Sequence, residues 1–222
     1  MCGAYTVAKH MKEMGGFKRL VGWSEVRLPI YKARPSEHLP VVLDREPGRV
    51  LAVKWGVKPN WVTAGSRLLI NARAETLNQK PAFREAFRER RCLILADGFY
   101  EWRASPSGKL PFRITLLDGQ AFAFAGVWQE VDGEPAYTII TTRPNDVVRP
   151  IHYRMPVILS PDEHELWLDP GLSVEEGLKL LDPHPSAGMS AYRVSQAVNR
   201  AVTLGPELIE PVKVIEAPTL FD

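Results

Sequence analysis

The sequence predicts an α+β fold, a single domain over residues 1–222 built around a curved, mostly antiparallel β-sheet with flanking helices. Three observations predict it. Short apolar or alternating runs bounded by turn residues recur along the chain, hairpin-type connectors separate several of them, and the helical patterns are few and short. The first run, Leu51 to Val57 (LAVKWGV), alternates apolar and polar side chains as a half-buried strand does. Residues 81 to 90 then read as a helix, because Pro81 suits a first helical position and Phe83 and Phe87 recur four apart on one face. Arg91 to Ala96 (RCLILA) is a nearly continuous apolar run of strand length. Pro111 to Leu117, Ala121 to Trp128, Ala136 to Thr142 and Met155 to Leu159 continue the series. The connectors Ser105-Pro-Ser-Gly, Asp118-Gly and Asp132-Gly are rich in residues that accept turn geometry, so they read as hairpin loops and disfavour a doubly wound βαβ fold. Helices follow Ser160 and Ser173, each with a glutamate three residues on (Glu163, Glu176) in a capping-box pattern.

Composition narrows the class. The chain has 222 residues, 45% hydrophobic and 24% charged, enough to bury a core and unlike a disordered, collagenous or coiled-coil sequence. Its two cysteines, Cys2 and Cys92, cannot build a disulfide framework, and no C-x-x-C or H-E-x-x-H spacing suggests a metal site. Neither a signal-peptide pattern nor an apolar run of about eighteen residues is present, so the expectation is a soluble cytoplasmic protein in a reducing compartment. The charge is divided unevenly. Met1 to Arg113 carries 21 basic and 10 acidic residues, a balance of +11, while the remainder carries 7 and 16, a balance of −9. Concentrated positive charge suits a phosphate polymer, because each Lys or Arg that meets a phosphate releases condensed counterions. A solvated basic face would give the same count, whereas no basic amphipathic helix points to a membrane.

Four clusters bear on chemistry. Cys2 becomes N-terminal if Met1 is removed, which places an α-amine (pKa about 7.7–8.0) and a thiol (about 8.5) on adjacent carbons. With an aldehyde such a 1,2-aminothiol closes a thiazolidine through an imine; with an amide or ester the thiol attacks and the amine serves as base. Asn71-Ala-Arg-Ala-Glu-Thr76 follows the apolar run Leu68-Leu-Ile70 and sits at a strand end. There Asn71 can hydrogen-bond a cysteine amine or an oxyanion and Arg73 can hold a phosphate, or Asn71 and Glu75 simply cap a turn. Ala96-Asp-Gly-Phe-Tyr-Glu-Trp102 sets Glu101 between two aromatic rings, an environment that raises a carboxyl pKa toward neutrality and suits a general acid. In Ile151-His-Tyr-Arg-Met-Pro156, His152 and Arg154 share one face of an extended segment, a proton donor beside a phosphate-binding fork. Trp55 and Trp61, interleaved with lysines, are base-stacking or core residues, and Cys92 reads as an inert buried thiol.

Met-Cys-Gly at the start, Trp55-Gly56, Asn71-Ala-Arg-Ala-Glu-Thr76, Arg91-Cys-Leu, Ala96-Asp-Gly-Phe-Tyr-Glu-Trp102, Ala125-Gly-Val-Trp128, Thr141-Thr142, His152-Tyr-Arg-Met-Pro156 and Val194-Ser-Gln-Ala-Val-Asn199, in this order, resemble the SOS response-associated peptidase (SRAP) family over nearly the whole chain. The resemblance implies a cofactor-free, monomeric sensor of abasic sites in single-stranded DNA that joins its N-terminal cysteine to the ring-opened deoxyribose as a thiazolidine. It implies that Cys2 is the nucleophile, that Asn71 orients the cysteine amine, that Glu101 is the acid and base, and that His152 helps to open the sugar. It further implies that Arg73 and Arg154 hold phosphates, that Lys80 contacts the DNA and that Trp55 lies near the bases. Self-removal of Met1 and a lyase-like activity belong to the same picture. One position departs from the family pattern, Ala4, where arginine is usual. Two other readings compete: an N-terminal-nucleophile glutaminase, which accounts for Cys2 but not for the basic half, and a noncatalytic single-strand-binding module, which leaves Glu101 and His152 without work.

Overall fold

A computed structural model describes residues 2–8, 15–58, 67–200 and 205–212. Among these residues thirteen strands form two sheets, accompanied by three short α-helices. The first is a closed barrel. Strand β3 (His38–Leu43) pairs antiparallel with β4 (Leu51–Trp55) and with β6 (Arg91–Ala96); β6 pairs with β9 (Phe122–Val131), and β9 with β10 (Glu134–Thr142), all antiparallel. The ring closes where β10 meets β4 in a parallel pair at Ala136–Lys54 and Tyr137–Trp55. Further along, β10 changes partner and pairs, again parallel, with β5 (Asn71–Arg73). The β4 and β5 strands therefore lie end to end along one edge of β10, and a bridge between Val57 and Leu69 ties the chain where it leaves that line and returns. Two short strands, β11 (Met155–Pro156) and β12 (Ile158–Leu159), extend β10 and β9.

The second sheet is antiparallel in the order β13-β8-β7-β1-β2, formed by Met189–Arg193, Gly108–Leu116, Gly98–Ser105, Tyr5–Val7 and Ile30–Ala33 respectively. An aromatic layer joins the two sheets. Tyr5 meets the barrel residues Phe124 at 5.6 Å and Trp55 at 5.2 Å between ring centroids, and Phe99 meets Phe124 at 6.0 Å, edge contacts that favour aromatic packing. Side-chain size explains the barrel interior. All six residues of β6 are buried, and Gly126 on β9 faces Ile94 so closely that an added Cβ would lie 2.2 Å from Ile94 Cδ1.

The expected elements are present with three differences. The helix α1 occupies Arg84–Glu89, and Pro81 belongs to the preceding turn, in which the N–H groups of Phe83 and Arg84 both bond the Lys80 carbonyl. Helix α3 (Val174–Lys179) has the full capping box at Ser173, whereas α2 (Glu163–Leu168) has half of one: the Glu163 carboxylate accepts from the Ser160 N–H at 2.7 Å. Asp132-Gly133 closes the β9–β10 hairpin with positive φ at both residues, as an Asp-Gly turn should. Asp118-Gly119 closes no hairpin, because β8 already pairs with β7 and β13, and the chain passes there from one sheet to the other. Among the described residues no helix is long and apolar enough to cross a bilayer.

Candidate active site

The site forms where β1 crosses from one sheet toward the end of the barrel. The β1–β7 register, Tyr5 with Phe99 and Thr6 with Gly98, extends through a bond from the Tyr100 N–H to the Ala4 carbonyl, which carries Cys2 and Gly3 alongside Trp102 and Glu101. Cys2 is buried, and its thiol points to the Ala4 carbonyl at 3.8 Å. Burial, and then the neighbouring Glu101 carboxylate, push this thiol far above its ordinary range, so it stands as a neutral S–H. Asn71, the first residue of β5, donates from Nδ2 to the Cys2 carbonyl at 2.8 Å, while its Oδ1 is buried and accepts no hydrogen bond from the described residues. The amide thus grips the Cys2 backbone directly.

Glu101 on β7 is 2% exposed. Burial pushes its carboxyl up to about 7, against the opposing pull of the Trp102 backbone and the Lys109 ammonium. His152, in the segment between β10 and β11, places Nδ1 3.6 Å from Glu101 Oε1. The same nitrogen lies 3.0 Å from the Arg154 carbonyl and 3.1 Å from its N–H, so the ring is held by the backbone two residues on. Burial lowers the imidazole below its ordinary value, while burial raises the Glu101 carboxyl. Both side chains open into a cleft of about 590 Å³ that is also lined by Trp102, Ser107, Gly108, Lys109, Gln196 and Asn199.

This constellation draws on both ends and the middle of the sequence. A family model described as SOS response associated peptidase (SRAP) matches residues 1–201. The chain belongs to the SRAP family. It is 40% identical over 224 residues to the abasic site processing protein YoqW of Bacillus subtilis (strain 168), covering 95% of this chain and 99% of that one. It is 31% identical over 166 residues to the abasic site processing protein YedK of Escherichia coli (strain K12), covering 72% and 74%. A crystal structure of a Bacteroides thetaiotaomicron protein superposes with a TM-score of 0.83 at 26% identity, over 96% of this chain and 100% of that one.

In this SRAP chain, Cys2, Asn71, Glu101 and His152 come together, while the residues expected to meet DNA divide. Arg73 and Lys80 are exposed. Trp55 is not available to bases: it is fully buried between Tyr5 and Tyr137, and its indole N–H donates to the Ile70 carbonyl at 3.0 Å. Its place is structural, fixing the chain immediately before Asn71. Trp61 lies outside the described residues. Arg154 is not a free phosphate fork either. Its two terminal nitrogens bind the Glu75 carboxylate at 2.6 and 2.9 Å, one of them also meets the Thr141 carbonyl at 2.6 Å, and the residue is 8% exposed. This brace joins the His152 segment to the turn that follows β5, and the Arg154 hydrogen bond holds Glu75 below the usual carboxylate range.

Sequence reasoning assigned no site role to the buried ion pair of Arg113 with Asp97, 3.1 Å apart, which also gathers Thr6 and Tyr192 and anchors β1 beside β7. The signal was there, since Arg113 is a lone charge inside the apolar run Pro111 to Leu117. Ala4 belongs to a small apolar cluster with Tyr100, Val194, Val198 and Leu208, where an arginine head would displace the packing.

Proposed function

We propose that this protein senses and shields abasic sites in single-stranded DNA, and that Cys2, once Met1 is removed, becomes linked to the ring-opened deoxyribose as a thiazolidine. The observation that carries the reading is the pairing of Glu101, with its carboxyl near neutrality, and His152 beside a cysteine whose backbone Asn71 grips. The names of its relatives, abasic site processing proteins, support the same reading.

The steps follow from the residues. An abasic sugar is mostly a closed hemiacetal. Glu101 passes a proton through His152 to the ring oxygen and takes up the proton of the C1′ hydroxyl, and the ring opens to the aldehyde. The Cys2 amine, held by the Asn71 Oδ1, adds to C1′ and one of its protons moves to the new alkoxide; Glu101 then protonates that hydroxyl, which leaves as water, giving the protonated imine and the Glu101 carboxylate. The Cys2 thiol adds to the same carbon as its proton passes to the Glu101 carboxylate, so the ring closes with a neutral nitrogen and no change in oxidation state. A thiol kept neutral by burial favours this order, with the amine first, over the thiolate attack that a glutaminase requires.

The test mixes purified protein with single-stranded DNA carrying one abasic site and looks for a heat-stable adduct. Wild type forms it. Cys2→Ala yields only an imine trappable by borohydride, and a protein with one extra residue ahead of Cys2 yields neither species. Normal adduct formation by the extended protein would falsify the thiazolidine.

A further inference from the structure

The segment Val194 to Asn199 matched a family pattern but received no chemical role, and its Gln196 and Asn199 line the same cleft as Glu101. Ser195 caps the short 3-10 turn Gln196–Asn199 by accepting from the Ala197 N–H, and Val198 is buried beneath it. The cleft side of this turn has a defined polarity. The Trp102 indole nitrogen is a donor only, so the atom it meets at 2.7 Å is the Asn199 carbonyl Oδ1. That fixes the amide and directs Asn199 Nδ2 to Gln196 Oε1, also at 2.7 Å, which in turn leaves Gln196 Nε2 as the end of the chain. Three side chains therefore bond in one direction and terminate in an NH₂ group.

Lys109 stands on the same cleft. It is carried by β8 opposite Ala104 of β7, next to the Pro106-Ser107 turn, and it takes part in no ion pair among the described residues. Of the residues lining the cleft it is the one lysine or arginine. An ammonium and a terminal amide NH₂ lining one cleft match the oxygens of an anion and offer little to a neutral apolar group.

We propose that Lys109 and Gln196, the latter oriented by Asn199 and Trp102, form the subsite for a phosphodiester adjoining the abasic sugar. This deepens the abasic-site reading and rests on it. Holding that phosphate fixes the position of C1′ in front of Glu101 and His152, the task first assigned to Arg154. Asn199 acts here as a positioning residue.

The experiment separates binding from crosslinking. The probe is single-stranded DNA carrying a tetrahydrofuran abasic analogue, which has no aldehyde, with each neighbouring phosphate replaced in turn by a neutral methylphosphonate. Affinity is followed by anisotropy over a range of salt. Wild type loses affinity at one methylphosphonate position. Lys109→Ala lowers the salt slope by about 0.7, as expected for one phosphate contact on a single strand, and becomes indifferent to that same position. Lys109→Arg restores both, and Gln196→Ala weakens binding about tenfold without altering the slope. An unchanged slope in Lys109→Ala, or losses from variant and methylphosphonate that simply add, overturns the subsite. Crosslinking to true abasic DNA distinguishes the two levels: if wild type crosslinks normally the subsite alone has failed, and if it neither crosslinks nor binds the analogue the abasic-site reading has failed with it.

Discussion

Burying Glu101 costs the fold stability at neutral pH. Its folded pKa, about 7, lies above the ordinary 4.5 of a glutamate. Below pH 4.5 the group is protonated in both folded and unfolded chains; between 4.5 and 7 only the unfolded chain ionises, so stability falls as pH rises through that window and levels off above it. Glu101→Gln removes this dependence. At pH 8 the variant should be more stable than wild type by up to about 3 kcal/mol in urea unfolding, while crosslinking slows by roughly ten- to ten-thousandfold. A variant no more stable than wild type at pH 8 would mean that the carboxyl is not strained by burial. Arg154 makes the opposite case. Arg154→Ala leaves Glu75 and the Thr141 carbonyl without their partner and should lower stability by about 2 kcal/mol or more, yet leave the salt slope of DNA binding unchanged; Arg73→Ala, exposed and unbraced, should reduce that slope by about 0.7 with little effect on melting. The two arginines exchange these outcomes if the Glu75 brace opens when DNA binds. Asn71, Glu101 and His152 stood out in the sequence because each lies in a short polar motif beside an apolar run, and Cys2 because of its second position, but no pattern there could show that Glu75 had already claimed Arg154.

Among the elements, Arg91 shows how one side chain ends two helices. Its guanidinium donates to the Phe87 and Arg88 carbonyls at the end of α1, both at 3.0 Å, and to the Trp167 and Asp169 carbonyls at the end of α2, at 2.8 and 2.5 Å. Carbonyls at a helix end have no partner within the helix and carry the negative pole of its dipole, so a cation placed between two such ends satisfies both. Arg91→Met preserves length and apolar contact but leaves these carbonyls buried, and should cost at least about 3 kcal/mol, measured by chemical unfolding. A loss under 1 kcal/mol would mean that water replaces the guanidinium. The apolar runs of β6, β9 and β10 were legible because length and composition suffice for a buried strand. Strands β1 and β5 were not, since three residues carry no periodicity, and β7 was hidden because Glu101 and Arg103 interrupt its apolar side chains.

At the scale of the whole molecule, closure of the barrel was beyond sequence reading: it depends on the parallel contact of β10 with β4, strands separated by most of a hundred residues, whose pairing no local pattern records. Closure also explains the size limit at Gly126. Its missing side chain lets β9 approach Ile94 of β6 and Cys92, with the Thr138 carbonyl of β10 on the other side. Gly126→Ala should destabilise by about 1–3 kcal/mol through overpacking, and Ile94→Val, which removes the nearest methyl, should recover part of the loss in thermal melts; if the double variant is no better than additive, the barrel relaxes elsewhere. The bridge between Val57 and Leu69 has a consequence of another kind. By pinning both feet of the intervening stretch onto the barrel, and with Trp55 holding the Ile70 carbonyl, it uncouples the length of that stretch from the placement of Asn71. Insertions or exchanges between the two feet should leave the reactive end intact, making this the position at which such a scaffold can be refitted for a different DNA shape without relearning its chemistry.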